Sequence, residues 1–425
     1  MRKLLIIFGI LLILAIVGVA GWLWWNSSQQ PGPTGTSTPQ GSETTPFGEG
    51  DGGEADGQPD GQSDTGNETG GTNQQTELAL QQLTETAIAG AAAAHNATGT
   101  PVIRYLERQT GHVYELDPGT AERTRTSNTT VPGMHDTTWR RDTDALIARY
   151  ATDEGEIRSF AARIMSPSAT STNSNIGNFE RIAFLEQGIS TLTPSPSKQQ
   201  VFYLHPTDEG STRGVIADFV ADERQELFTT SFGSWRAQWP NERSVALTAS
   251  ASMYADGSLY FVDSTTGEME YVFGGKQGLM TNVSPTLEHV LYATTSRSGV
   301  HGGIYNVASG TIDGLGFAPI PEKCEWSKQD PTLVYCAVPR SYEENTVYPD
   351  AWYQGTTHFT DMIWQIDVDE SGSERVQVVA DLPSRSREAI DAVSPFLGPN
   401  ERHLYFTNKR DQTLWRVQLP GAPTS

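Results

Sequence analysis

Cysteine is nearly absent from this chain of 425 residues, which holds only Cys324 and Cys336. Two thiols make neither a structural zinc site nor a multi-bridge scaffold. Positive charge is scarce as well: 29 Lys and Arg face 51 Asp and Glu, for a formal net charge of −22. A surface so acidic repels phosphate backbones, which argues against nucleic acid as a partner. Solvated surface charge accounts for acidity of this kind more often than a basic ligand does. The eight histidines are scattered. Four catalytic signatures are missing, namely a Gly-x-Ser-x-Gly elbow, a His-Glu-x-x-His pair, a Walker loop and a dinucleotide fingerprint. Ser195-Pro196-Ser197-Lys198 matches Ser-x-x-Lys only by letter, since that motif needs a helix and partners. These absences point away from an enzyme and imply no cofactor and no metal.

What is present begins with one apolar run. Leu4 to Trp25 carries no charge, follows Arg2-Lys3, and ends on Trp22, Trp24 and Trp25. Its length suits a helix across the ~30 Å hydrocarbon core, with the cationic flank in the cytoplasm and the indoles at the far interface. A cleavable signal peptide is the competing reading, but the run exceeds the usual apolar core of such peptides. Either way the remainder is exported. Residues 26–76 then change composition to Gly, Thr, Ser, Gln, Pro and acid, with Phe47 their only aromatic. So little apolar surface cannot offset the entropy of ordering, and the expectation is a disordered linker spanning on the order of 40 Å. The charge divides as +2 before the linker, −8 within it and −16 after it.

Residues 77–425 repeat. A short apolar strand recurs at Val102, Leu146, Val201, Val245, Val290, Leu333 and Leu404, with gaps of 44, 55, 44, 45, 43 and 71 residues. A period of about 40–50 residues made of short strands marks a β-propeller with one four-stranded blade per repeat. Two joints recur in each unit. The first is a turn before the second strand, as in Ser195-Pro196, Trp239-Pro240, Ser284-Pro285 and Ser394-Pro395; Trp139 and Trp326 head looser copies. The second is an alternating strand that ends in a polar turn, as in Val113–Asp117, Leu259–Asp263, Ile304–Val307, Ile363–Asp367 and Leu414–Val417. These joints resemble those of TolB-type and related WD-like propeller repeats. The resemblance covers most of residues 78–419 and implies an all-β fold of seven blades, with six or eight as the neighbouring counts. It departs in lacking Asp-Gly after Ser-Pro and in having no Trp-Asp at a blade end.

The last unit stops after its third strand, so Glu77–Thr84 is expected to supply the missing outer strand and Ala87–Ala94 the inner strand of the first blade. An Ala-rich helix over 78–94 is the alternative that intrinsic propensity favours. Closing the ring removes a sheet edge, which tips the reading toward strands.

Candidate sites are few. Asp367-Val368-Asp369-Glu370-Ser371-Gly372 opens like a calcium loop, but Arg375 and Val378 stand where later ligands belong, so an ordinary hairpin is expected. Cys324 and Cys336 lie symmetrically about a turn near residue 330 and suit a cross-strand disulfide. The sixth blade expands between its second and third strands, over about Pro339–Asp361. That insertion concentrates Tyr348, Trp352, Tyr353 and His358 on a face expected to receive His205, Arg297 and His301 as well. Aromatics with a few polar groups suit recognition of an envelope protein or glycan; a loop packed on itself is the plainer alternative. The expectation is a membrane-anchored, extracytoplasmic, non-catalytic scaffold. The rivals are an envelope hydrolase or lyase and a purely structural envelope component.

Overall fold

The seven recurring apolar segments are all second strands. In the computed structural model each lies between two others in a four-stranded antiparallel sheet, and there are seven such sheets. The structure describes residues 79–96, 98–140, 144–152, 154–165, 178–369, 375–386 and 388–420. The apolar run 4–25 and the linker 26–76 lie outside the described residues, as do 77 and 78. Among the described residues no helix is long and apolar enough to cross a membrane.

Blade 1 comprises strands Ile88–His95, Pro101–Glu107, Val113–Leu116 and Arg123–Arg125, from axis to rim. Blades 2 to 6 repeat this order, with second strands Ala145–Ala151, Gln200–Pro206, Ser244–Ala249, His289–Ser296 and Leu333–Pro339. In blade 3, all five residues from Val201 to His205 are buried. Both faces of such a strand are covered because each sheet is sandwiched between two neighbours, so it reads as a continuous apolar run. Val201 and Tyr203 pack toward Ala145 and Ile147 of blade 2, while Phe202 and Leu204 pack toward Val245 and Leu247 of blade 4. Burial of each such side chain stabilises the fold by ~1.5–3 kcal/mol. Every adjacent pair of blades has one apolar cluster of this kind, and an eighth cluster lies under the insertion of blade 6. The rim strands bury little, as the Arg123–Arg125 segment illustrates.

The ring closes with its first strand. Leu80–Gln82 pairs with Leu414–Gln418 and completes blade 7 outside His403–Asn408 and Ala392–Leu397. Ile88–His95 is the inner strand of blade 1, not a helix: its small side chains let the backbone run close to its neighbour, and a Cβ on Gly90 would stand 2.4 Å from Thr137 Oγ1. Arg416 ties the seam. Its Nη2 donates to Gln81 Oε1 at 2.7 Å on the closing strand, and its guanidinium also bonds the Pro118 and Gly119 carbonyls of blade 1. Thr84 Oγ1 accepts the Leu414 N–H at 2.9 Å.

The turns explain the repeat motifs. Ser195 Oγ accepts the Gln199 and Gln200 N–H groups, Ser284 Oγ the His289 N–H, and Ser327 Oγ the Gln329 and Asp330 N–H groups. An acid of the next blade then caps the same turn: Glu242 accepts Ser197 N–H at 2.6 Å, and Glu401 accepts Lys328 N–H at 2.7 Å. Two of the expected turns are not turns. Trp239-Pro240 and Ser394-Pro395 stand inside inner strands, where the ladder register shifts around each proline because it has no N–H to donate. At the outer joints Asp117 and Asp263 bond the N–H groups two and three residues on. Asp367 Oδ1 accepts the Asp369 N–H at 3.1 Å, but the rest of the calcium-like segment, 370–374, lies outside the described residues; among the described residues no group of acidic, His or Cys side chains is placed to hold a metal. Residues 166–177, between the outer two strands of blade 2, lie outside the described residues. Cys324 pairs in register with Cys336, and their sulfurs are bonded.

Two outcomes test the seam. Deleting residues 79–82 exposes a strand edge and is expected to lower the melting temperature of the whole propeller, as is Arg416→Ala, which removes its bonds to Gln81 and to the half-buried Pro118 carbonyl at ~0.5–1.5 kcal/mol each; an unchanged melting curve for both contradicts closure. His403, beside this seam, is held down to about 4 by burial and then by Arg416 and Arg402. Its folded value lies below the unfolded ~6.5. The stability it preserves is therefore full above ~6.5 and is lost as pH falls toward about 4. His403→Gln should flatten that part of a pH–stability profile.

Candidate functional site

The connections from outer to inner strands and from second to third strands share one face, here the top. On it the insertion of blade 6 folds inward. A short helix, Asp350–Tyr353, sits at its centre. Asp350 Oδ2 accepts the Met253 N–H of blade 4 at 2.9 Å, and Lys409 of blade 7 donates to the Trp352 carbonyl. One four-residue helix thus touches blades on opposite sides of the ring, which places it over the axis. The insertion is a plug in the mouth of the channel.

This position overturns the expectation of an aromatic recognition patch. Tyr348 and Trp352 are 4% and 5% exposed and pack with Phe359 against Ala251, Met280, Ala293 and Ile320. A loop with this much aromatic surface gains more by covering the channel than by facing water. Tyr353 is half-buried: its hydroxyl donates to Glu322, and Arg236 lies 4.2 Å from its ring centroid. His358 is also half-buried, with Nδ1 3.7 Å from Asp391 Oδ2. Arg297 and His301 stand apart from this packing, on an exposed hairpin of blade 5 where His301 Nε2 meets the Ser296 and Ser298 hydroxyls at 3.2 and 2.9 Å. His205 is buried at the top of blade 3 against its own Pro206 carbonyl.

Beneath the plug lies a charge cluster with no accessible surface. Lys323 Nζ is 2.7 Å from Asp361 Oδ2 and 2.7 Å from Asp391 Oδ1, and all three side chains are 0% exposed. Asp391 Oδ2 also accepts Trp352 Nε1–H at 3.2 Å and Phe359 N–H at 3.1 Å. Burial works against its charge, but Lys323 and these donors hold it below the usual carboxylate range. Asp361 Oδ2 accepts Ala392 N–H at 2.6 Å, while its Oδ1 is buried without a partner. Burial, only partly offset by Lys323, pushes that carboxyl up to about 6.

Below the plug the channel contains a cavity of about 340 Å³, lined by Thr191, Arg236, Gln238, Thr281, Asn282 and Glu325 among others. Most of these polar groups are engaged. Gln238, Asn282 and Trp326, spaced by 44 residues, form a chain across blades 4, 5 and 6. Gln238 Nε2 donates to Asn282 Oδ1 at 3.1 Å, Trp326 Nε1 donates to the same oxygen at 2.7 Å, and Asn282 Nδ2 bonds the Cys324 carbonyl at 2.9 Å. Arg236 pairs with Glu322 at 2.8 Å. Burial raises both Glu322 and Glu325, Glu325 to about 7 despite Lys328 and Lys198. Gln238 and Asn282, 44 residues apart, both line the channel, whereas Trp326 at the next equivalent position is packed between blades 5 and 6; the spacing had no meaning in the sequence without knowing which strand lines the axis.

The top face does carry exposed aromatics, on blade 4. Tyr254, on the loop between the second and third strands, is 78% exposed; Phe232, on the connection from blade 3, is 45% exposed and stacks edge-on to Trp235 at 4.7 Å. A groove of about 180 Å³ beside them is lined by Ser190, Thr191, Gly233, Ser234, Trp235, Arg236 and Ser250.

No protein-family model matches this chain, and no curated protein matches it. Solved structures do. An oligogalacturonate lyase from Vibrio parahaemolyticus superposes with a TM-score of 0.50 at 11% identity, over 83% of this chain and 96% of that one. TolB from Acinetobacter baumannii gives 0.39 at 10% identity, over 78% of this chain and 63% of its own. A chain of the mitotic checkpoint complex gives 0.47 at 10%, over 80% and 93%. Likeness at such identities is a likeness of fold.

Trp352→Ala is expected to cost ~3–5 kcal/mol by leaving a cavity under the plug. Thermal melting reads this directly; a variant as stable as the wild type would show that the indole is not part of the core.

Proposed function

We propose that this chain is an extracytoplasmic, membrane-anchored propeller that binds a protein partner at the cell envelope without catalysis. Residues 4–25 are the anchor and 26–76 the tether. One observation carries the reading. The described chain enters at the lower rim of blade 7, on the outermost strand, whereas Tyr254 and Phe232 stand on the top face. A tether joined at residue 79 leaves that face directed away from its own attachment. Protruding aromatics beside an arginine have the composition of interface anchors, and truncating such an anchor costs ~2 kcal/mol or more. Engagement of the channel amides in blade-to-blade bonds supports the non-catalytic reading.

One observation favours the rival enzyme. Glu322 and Glu325 are both raised by burial and both line the channel cavity, and perturbed acids in one cavity are a mark of catalysis. The two readings part experimentally. For a partner recovered with the purified full chain, Tyr254→Ala and Phe232→Ala are each expected to weaken binding about tenfold or more while leaving the melting curve in place. Undiminished binding by both variants removes blade 4 from the interface. Turnover of a glycan library that is abolished by Glu325→Gln would replace binding with lyase or hydrolase chemistry. Deletion of residues 4–25 should move the protein from the membrane fraction to the soluble one.

A further inference from the structure

We propose that Lys323 and Asp361 are joined by an intramolecular amide bond, formed spontaneously after folding with Asp391 as the general base. The geometry points to a reaction rather than a resting ion pair. A nucleophile, an electrophile and a base meet within hydrogen-bond distance in a space closed to solvent, with Nζ 2.7 Å from an oxygen of each carboxyl group. Aromatic walls surround them; the Trp352 and Phe359 ring centroids lie 5.7 and 5.0 Å from Nζ.

The two carboxyl groups are held differently, and each difference suits its role. Asp391 takes N–H bonds from Phe359 and Trp352 besides Lys323, which keeps it an acceptor. Asp361 has one oxygen in a bond from Ala392 N–H at 2.6 Å and the other bare. The bonded oxygen has a donor aimed where negative charge develops when its carbon is attacked, as in an oxyanion hole. The bare oxygen has nothing to hold it and is the one to leave.

One proton passes from the Lys323 ammonium to Asp361, whose burial favours the neutral carboxyl. The neutral amine attacks Asp361 Cγ, forming the C–N bond and placing negative charge on Oδ2 at the Ala392 N–H. Asp391 removes one proton from the nitrogen and delivers it to the Oδ1 hydroxyl. The C–Oδ1 bond breaks, water departs, and Asp391 is again a carboxylate. The amide retains one N–H, positioned to donate to Asp391 Oδ1. The buried ammonium and one carboxylate become a neutral amide, and the remaining Asp391 carboxylate keeps the Trp352 and Phe359 N–H bonds together with that of the new amide. Alignment of the reactants substitutes for chemical activation, and the water released has the channel cavity lined by Glu322 and Met280 to enter. The bond would clamp the entry of blade 6 to the start of its third strand and so fasten the C-terminal end of the plug.

Mass spectrometry of the purified full chain, reduced, alkylated and digested with trypsin under denaturing conditions, decides the matter. The expected product is a branched species in which the peptide containing an uncleaved Lys323 is joined to peptide 341–375, which contains Asp361, at a combined mass lower by one water. Asp391 falls in a different tryptic peptide, 388–402, so a link to that peptide would overturn the assignment of Asp361. Cleavage after Lys323 with peptide 341–375 at its linear mass would overturn the amide altogether. Asp391→Asn keeps the shape of the site and removes the base. It is expected to lose the branched species, and an undiminished yield would remove Asp391 from the reaction. The wild-type digest is decisive whether or not that variant folds.

Discussion

Everything in this propeller depends on closing the ring. Each sheet is apolar on both faces of its middle strands, and those faces are buried only if a blade stands on either side. An opening at any seam would expose the two faces of one interface and the edge of one strand. The weakest seam is the one the chain must make non-locally, between its last blade and its first strand. Leu80–Gln82 supplies the strand and Arg416 the tie, reaching both the closing strand and the carbonyls of blade 1. The loss of chain entropy in joining residues so far apart in sequence is set against a complete set of apolar interfaces, which form only together.

The axis poses a second problem. Inner strands converge there, and their polar groups have few partners within their own sheets. The protein resolves this by bonding blade to blade. Gln238, Asn282 and Trp326 link three blades in sequence, and Glu242 and Glu401 cap the turns of the blades before them. The plug closes the top of the same channel, with its aromatic side inward and Lys323, Asp361 and Asp391 as a charged root. Removing solvent from these three groups raises the cost of leaving any of them without a hydrogen-bond partner. It also brings a primary amine and two carboxyl groups together without competing water, the circumstance that gives them chemical as well as structural potential.

The repeat was legible because it is a local property. All seven second strands were located by apolar runs, whereas the closing strand and the inner strand at Ile88–His95 were expected only from ring closure, against the helix that intrinsic propensity favours. The serine-capped turns at Ser195 and Ser284 were legible for the same reason, since the cap is made within a few residues. Trp239-Pro240 and Ser394-Pro395 were not. The same kind of dipeptide that opens a turn in one blade stands within a strand in another, because a bulge in the ladder absorbs the proline. Composition found the insertion of blade 6 and its aromatics, yet it could not distinguish a patch that faces a partner from a plug that faces the channel. Tyr254 and Phe232 drew no notice in the sequence because isolated aromatics in loops are ordinary; their exposure is a property of the assembled face.

By itself the sequence determined the second strands and their period, and its composition changes from an apolar run to an acidic Gly-, Thr- and Ser-rich stretch and then to the repeats. These follow from hydrophobic periodicity and turn chemistry, which act over a handful of neighbouring residues. The tertiary structure decided which residues line the channel, which way the insertion turns, and that a lysine and two aspartates from three separate places in the chain meet in one dry pocket. Such meetings are set by the angle between blades and the space left at the axis, and neither is encoded in any local stretch of residues.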